Sequence, residues 1–423
     1  MRLLMISLDA AYSADAKTLL ALPHLGALAQ SGVFCDKVQT IYPSITYPAH
    51  TSILTGCWPE KHGISHNEKF FFDLPPQKRP WNWNAGDIKV ETLFQAAARA
   101  GREVASLLWP VSGHNKAVHY NLPEVHALPG ENQTVKVLKY GSFWWLLKTE
   151  LKYGKQRIST KQPHLDRFTV LVAQKLIEKQ YNPKKPVNVE PSLRIKRRHM
   201  PDILALHLVD LDAIRHREGT HTQESKAALL RLEQHVGALL KSLEEAGGLS
   251  DTIIAVMSDH GQADVQKEFA LDAYLKSSGV PARAQTLGFG AYIHCSRDDY
   301  HKVFEFLQQN QQDLHIKQIY TRQELRSMHA AQGILLAVEA EDGVEYVDQL
   351  GGSQHRANHG FGPDHLASQC LLWLSGPPFL QGARLHRADL VDIAPTLAHA
   401  LRLELPQAQG RILFESFIES MRE

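Results

Sequence analysis

The run "DILALHLVDLD", Asp202 to Asp212, decides how the chain folds. Its apolar residues are broken only by His207, and it closes on two acids. A strand with one wet face alternates apolar and polar residues, whereas a continuous Leu/Ile/Val run has both faces covered, as in the parallel sheets of α/β proteins. Two other runs share this form: "RLLMISLD" (2–9) ends in Asp9, and "TIIAVMSDH" (252–260) ends in Asp259 and His260. Further strands are expected at "VASLLWP" (104–110) and "CLLWLSG" (370–376). Helices are expected over "HLGALAQSG" (24–32), "VETLFQAAARAG" (90–101) and "SKAALLRLEQHVGALLKSLEEAGG" (225–248), each closed by Gly. The fold class that follows is α/β, with a mostly parallel central sheet flanked by helices. In such sheets ligands sit at the carboxyl ends of the strands. Three runs delivering acids to that edge from distant parts of the chain imply one assembled site.

Two stretches interrupt the pattern. Residues 135–200 are aromatic, then basic, with proline punctuation, and 263–355 have a strand–helix–strand character. The expected organisation is a core in three parts (1–134, 201–262 and 356–423), carrying a cap insertion (135–200) and a small α+β insertion (263–355). The basic run Arg194–Arg198 reads as a solvated edge of the cap.

The 423 residues carry 46 Lys+Arg against 45 Asp+Glu, so no global field points to nucleic acid or an anionic membrane. Four cysteines (Cys35, Cys57, Cys295, Cys370) form no CxxC pair, which argues against a disulfide framework and a thiolate zinc site. The opening "MRLLMISLDA" reads as a first strand and not as a leader. No apolar run approaches the ~20 residues of a membrane span. A cytoplasmic protein is therefore expected, with no membrane or nucleic-acid partner and an open oligomeric state.

The 23 histidines are the informative excess, because imidazole is a common metal ligand. Asp212 and His216 stand four apart in "DLDAIRH", so one helical turn lets both reach one ion. Asp259 and His260 are adjacent, Asp9 adds a carboxylate from another strand, and "RANHGFG" offers His359 with Gly360 behind it for close backbone approach. Each alone fits a cap or a core residue; together they fit a two-metal site. Carboxylate and imidazole without thiolate suit zinc first, with manganese and iron as alternatives. The stretch "TIYPSITYPAHTSILTG" (40–56) then matters. Pro48 opens a helix that Gly56 closes, which places Thr46 at the helix N-terminus, where anions are favoured. A threonine hydroxyl needs a base or a metal to become a nucleophile, and Ser44 is the rival hydroxyl.

These residues resemble the nucleotide pyrophosphatase/phosphodiesterase family of the alkaline phosphatase superfamily. The motifs are "LDA" at Asp9, "TYPAHTSILTGCWPEKHGI", "DLDAIRH", "SDHG", "NHGFG" and the C-terminal "LVDIAPTLAHALRLELPQAQGRIL", in the family's order. The resemblance implies an alkaline-phosphatase-like core, with Thr46 as a metal-bound nucleophile that forms a phosphothreonine. Asp9, Thr46, Asp259 and His260 would ligate one zinc, and Asp212, His216 and His359 the other. Asn67 would hold a phosphoryl oxygen. Cys57 in "CWPEK" looks like a sulfatase motif, but the modified residue of sulfatases lies at the place of Thr46, so Cys57 reads as a helix-end residue. Where nucleotide-hydrolysing members often carry a base-stacking Tyr, this chain has His207, and Arg215 replaces a common Gly. Tyr47 keeps the aromatic after the nucleophile, which makes Asn67, Tyr47 and His207 the expected substrate contacts. The expected function is hydrolysis of phosphate diesters or nucleotide pyrophosphate bonds in a small-molecule substrate. A phosphomonoesterase, phosphonate hydrolase or phosphomutase on the same scaffold is the alternative. A metal-binding protein without activity is disfavoured, because nucleophile, ligands and Asn67 all survive.

Overall fold

The computed structural model describes residues 1–71, 74–178 and 200–422. The run Arg194–Arg198 lies outside the described residues. Seven strands carry the central sheet: β1 (Arg2–Leu8), β2 (Gly32–Gln39), β3 (Val104–Leu107), β4 (Tyr120–Leu122), β5 (Ile203–Leu208), β6 (Thr252–Met257) and β7 (Gln369–Ser375). Their order is β2-β7-β6-β1-β5-β3-β4, and two-residue strands at Ala383–Arg384 and Ala388–Asp389 pair with β2. β1 lies parallel to both β5 and β6, and β3 parallel to β4 and β5; β7 runs antiparallel to both its neighbours. The expected mostly parallel sheet is therefore present. β2 and β4 had no distinct signal in the sequence, being short or mixed in polarity.

Alternation within the apolar runs explains why they are continuous. Leu3 and Met5 of β1, with Ile203 and Ala205 of β5 and Ile253 and Ala255 of β6, enter one core. Leu4, Ile6 and Leu8, with Leu204, Leu206, Ile254 and Val256, enter a second core on the opposite face. Helices cover both. Leu93–Arg99, Thr46–Thr55 and Ile393–Ala400 lie on the first, and Pro23–Ser31 and Gln223–Glu245 on the second. A strand that buries both faces gains roughly 1.5–3 kcal/mol per large apolar side chain, and no polar alternation survives.

The stretch expected as one cap insertion divides. Helices Gln133–Tyr140 and Phe143–Tyr153 form an outer layer, the first beginning before residue 135. The helix His164–Ile177 instead belongs to the core: Phe168, Val172, Ala173 and Leu176 enter the second core, and Gln174 Nε2 donates to Ser242 Oγ at 2.9 Å. Its apolar spacing is that of a core helix, which the aromatic-rich composition before it obscured. The 263–355 stretch holds a four-stranded antiparallel sheet in the order 316–320, 336–340, 290–295, 282–286, with Leu271, Leu275, Ile293, Val303 and Leu307 among its own core residues. It also meets the main body at the site. Tyr42 and Ile45, just before Thr46, pack with Leu287, Tyr292 and Leu325. Among the described residues no helix is long and apolar enough to cross a membrane.

Candidate metal-dependent active site

The carboxyl ends of three parallel strands bring the polar groups together. Asp9 follows β1, Asp259 and His260 follow β6, and Asp210 opens the helix Asp210–Glu218 directly after β5. Asp9, Asp259 and His260 form one buried group, and Asp212, His216 and His359 a second, partly buried one; within each, the candidate ligand atoms all lie within 4.8 Å of one another. In the first, His260 Nε2 is 3.2 Å from Asp259 Oδ2 and 3.6 Å from Asp9 Oδ1. In the second, His216 Nε2 is 3.2 Å from Asp212 Oδ1 one helical turn away. His260 and His359 adjoin, with ring centroids 4.3 Å apart, so the two groups share a border.

Thr46 is the first residue of the helix Thr46–Thr55, which Gly56 ends in the left-handed region at φ 64°. Ile45, not Thr46, holds the cap position, and no side chain caps the helix. The Thr46 hydroxyl is therefore free to turn to the first group, where Oγ1 lies 3.1 Å from His260 Nε2. The rival Ser44 donates its hydroxyl to Phe361 O at 3.0 Å, away from the ligand atoms. Asn67 is clamped, its Oδ1 accepting the Tyr47 backbone N–H at 2.9 Å. That bond leaves the amide nitrogen as a donor beside the helix N-terminus.

The donor set fits divalent cations. Asp9 Oδ1, Asp259 Oδ2 and His359 Nδ1 are all buried without a hydrogen-bond partner. Such groups are costly to leave unpaired. Burial, and then the charge of Asp212, push the Asp9 carboxyl up to about 7. Burial, and then Asp9, push Asp259 up to about 7. Burial alone would raise Asp212 too, but His216 beside it holds that carboxyl well below the usual range. Burial and the neighbouring His260 and His216 keep His359 well below an ordinary imidazole, in the neutral form a metal needs. His216 Nδ1 bonds Ala357 O at 2.8 Å, which directs Nε2 toward the group. Gly360 sets His359 in place. At φ 94° a Cβ there would stand 1.8 Å from Leu287 O, so only glycine lets the two loops touch.

Two expected substrate contacts are corrected. His207 is fully buried: Nε2 lies 2.9 Å from Asp9 Oδ2, and Nδ1 lies 3.1 Å from Leu108 O and 3.4 Å from Glu124 Oε2. It orients Asp9 and offers no face to a nucleobase. The Tyr47 ring is also fully buried, packed with Ile64, Trp83, Val111 and Val125 and edge-on to Trp81. Its position one residue past Thr46 on a helix turns it toward the interior. Arg215 is likewise inward, paired with Asp15 through two bonds of 2.6 and 3.0 Å. Cys57 Sγ donates to Gln407 O at 3.1 Å beyond the helix end, and burial raises the thiol.

Three residues of the site escaped the sequence reading. His50 lies four after Thr46, with Nδ1 2.9 Å from Thr46 O and Nε2 2.8 Å from Ser7 Oγ. Burial, and then His207, hold it well below the ordinary imidazole range, so neutral His50 donates to the threonine carbonyl and accepts from Ser7. Gln262 donates through Nε2 to Asp212 Oδ1. Glu124 abuts His207 from the far side. The i, i+4 spacing of Thr46 and His50 was a usable signal; Glu124 had none.

A partner that orients a ligand tunes metal affinity by about 10–100-fold. His207→Ala is expected to weaken divalent-metal binding by that amount in a chelator competition, and His207→Gln, which keeps a donor for Asp9, to recover part of it. Affinity within about threefold of the parent for both variants, judged against that range, would remove His207 from this role.

Fold and site together define an alkaline-phosphatase-like α/β protein with a hydroxyl set against two adjoining candidate metal sites. Residues 3–362 match the model of the type I phosphodiesterase/nucleotide pyrophosphatase family, and the chain belongs to that family. An ectonucleotide pyrophosphatase/phosphodiesterase of Caenorhabditis elegans is 26% identical over 263 residues, covering 60% of this chain and 25% of that protein. A bis(5'-adenosyl)-triphosphatase of Pongo abelii is 22% identical over 426 residues, covering 95% of this chain and 78% of that protein. The chain spans about a quarter of the length of the Caenorhabditis protein and of human ectonucleotide pyrophosphatase/phosphodiesterase family member 1, at 25% and 23%. Murine ectonucleotide pyrophosphatase/phosphodiesterase 5, as an inactive threonine-to-alanine form in complex with AMP, shares the fold with a TM-score of 0.71 at 17% identity, covering 97% of each chain.

Proposed function

We propose that the protein hydrolyses phosphodiester or pyrophosphate bonds of nucleotide-type substrates, through a phosphothreonine on Thr46 and with two divalent cations, zinc first. The observation that carries the reading is the Thr46 hydroxyl 3.1 Å from His260 Nε2, at the border of two carboxylate–imidazole groups. Asp9, Asp259 and His260 would hold one cation and Asp212, His216 and His359 the other, with Thr46 Oγ1 beside the first. The cations supply Lewis acidity, lowering the pKa of a hydroxyl or water and neutralising charge on phosphoryl oxygens. The rest is the work of the chain. The helix N-terminus at Thr46 and the Asn67 amide position the phosphoryl group for in-line attack. Thr46 Oγ1 bonds to phosphorus as the bond to the leaving oxygen breaks, and water then cleaves the phosphothreonine. His50 and Ser7 hold the Thr46 backbone, and His207 and Gln262 hold the carboxylates of Asp9 and Asp212.

The test is hydrolysis of a nitrophenyl ester of thymidine monophosphate beside nitrophenyl phosphate, with zinc, with manganese and with a chelator. Chelator-sensitive preference for the diester is the expected result. Preference for the monoester, or turnover of neither, would overturn the reading. A reducing, cytoplasmic setting is proposed on the four cysteines, all of which are free thiols. Cell fractionation checks it, and recovery outside the cytoplasm would refute it.

A further inference from the structure

The helix Phe143–Tyr153 in the outer layer has two unlike faces. Trp145 and Tyr153 turn inward against the second core, and Leu146 is buried. The opposite face carries Trp144, Lys148, Leu151 and Lys152, whose spacings of four, three and one put them on one stripe. Trp144 is 71% exposed and Leu151 79%, more than any other large apolar side chain among the described residues. Phe143, also exposed, stands against Trp144 with ring centroids 5.1 Å apart. The stripe is an unpartnered apolar surface of the kind that marks an interaction site.

Lysines frame the apolar residues. Lys148 lies between Trp144 and Leu151, and Lys155 follows four residues after Leu151, in the turn Gly154–Gln156 that ends the helix. Both are exposed and make no side-chain hydrogen bond or ion pair among the described residues, while Lys152 Nζ lies 5.1 Å from the centre of the Tyr153 ring. The one acid of the helix, Glu150, is spent on Arg157 through bonds of 2.7 and 3.0 Å. Beside the stripe a cleft of about 570 Å³, shared with the helix His164–Ile177, sets Lys148 and Lys152 around apolar Trp145, Val172 and Leu176. Its acid, Glu178, is held by Lys175. The near-neutral whole chain hides this patch: residues 136–161 hold seven Lys+Arg against one Glu. The expectation of no membrane partner rested on the global balance, and charge acts locally, within about a Debye length of 8–10 Å.

Tryptophan, leucine and lysine on one helix face match the layers of a bilayer surface. Tryptophan sits at headgroup depth, leucine enters the acyl boundary, and the lysines meet anionic headgroups while their stems lie along apolar surface. A second copy of the chain fits less well, because a twofold contact would set this cationic stripe against itself. Single-stranded nucleic acid would use the lysines and the rings but leave Leu151 without a partner. We infer that the outer face of Phe143–Tyr153 docks the protein on an anionic lipid bilayer. Such docking is peripheral and reversed by salt, so it is compatible with the cytoplasmic setting proposed above. It does not rest on the proposed activity.

The test is sedimentation of the full chain with vesicles of phosphatidylcholine alone and of phosphatidylcholine mixed with phosphatidylglycerol. Partitioning onto the mixed vesicles is expected to exceed that onto phosphatidylcholine at least about tenfold, and to fall as salt rises. Each lysine near an anionic surface strengthens partitioning about fivefold, so Lys148→Gln with Lys155→Gln is expected to lower it at least about tenfold. Lys148→Arg with Lys155→Arg is expected to keep it. Trp144→Ser with Leu151→Ser is also expected to lower it at least about tenfold, by removing the side chains that enter the bilayer. Leu350→Ser, at an exposed apolar position of the small insertion, is expected to change nothing. All these positions are exposed, so melting temperatures are expected to stay near the parent's. Equal partitioning onto the two kinds of vesicle, or parental binding by either the glutamine or the serine pair, overturns the inference. So does a dimer in the ultracentrifuge that the serine pair dissociates, or binding of a single-stranded oligonucleotide in place of vesicles, since either assigns the face to another occupant.

Discussion

Thr46→Ala is expected to lower diester hydrolysis by at least about 10³-fold, because removing a covalent nucleophile takes away the step itself and not only a contact. Only the hydroxyl and the methyl group are lost. Backbone, helix start and His50 contacts remain, and Ile45 rather than Thr46 occupies the cap position. Melting temperature should therefore move little, and zinc should still bind, since three of the four proposed ligands of the first site are untouched. Acid-quenched parent enzyme should carry a nucleoside monophosphate, esterified through phosphorus to the Thr46 oxygen, on the peptide containing Thr46, detectable by mass spectrometry, and the variant none. Near-parental activity of Thr46→Ala with metal bound would end the covalent mechanism.

The second large effect is on metal affinity and its pH dependence. Asp9 and Asp259 are each pushed up to about 7, chiefly by burial, and both must be ionised to ligate. Burial favours neutral His216, but Asp212 raises it to about 8, and it too must shed a proton to bind. Metal affinity should therefore climb as pH rises from 6 to 8, by about tenfold per pH unit for each proton released. Across that range the apparent zinc dissociation constant is expected to fall at least about hundredfold. The sign for the metal-free fold is opposite. A carboxyl whose folded value of about 7 lies above its ordinary 3.8 contributes full stability below 3.8, and that contribution is lost as pH rises through about 7. The gap in melting temperature between zinc-loaded and chelator-treated protein should thus widen from pH 6 to pH 8. Binding at a hundred times the dissociation constant adds about 2.7 kcal/mol. A gap that stays constant across this range, or zinc affinity independent of pH, would show that these carboxylates are not the ligands.

Much of the core was legible because burial on both faces leaves a continuous apolar run that few other structures explain. β1, β5 and β6 were readable in this way, and so were the acids at their ends. The helix His164–Ile177 was not, since its membership of the core depends on which surface it meets, and the aromatic and basic residues around it suggested a separate cap. Tyr47 and His207 show the same limit at the site. Their neighbours along the chain suggested substrate contact. Their direction is set by the helix and the strand that carry them, and both turn inward: Tyr47 onto Trp83 and Val125, His207 onto Asp9.

The sequence by itself determined the parallel strands, the ligand types and the order in which they arrive, because burial and side-chain chemistry are written locally in residue type and spacing. Only the tertiary structure decided which groups meet. The approach of Glu124 to His207 and the contact of Gly360 with Leu287 join segments tens of residues apart. Their distances depend on how helices and insertion pack against the sheet, and no local pattern of residues encodes that packing.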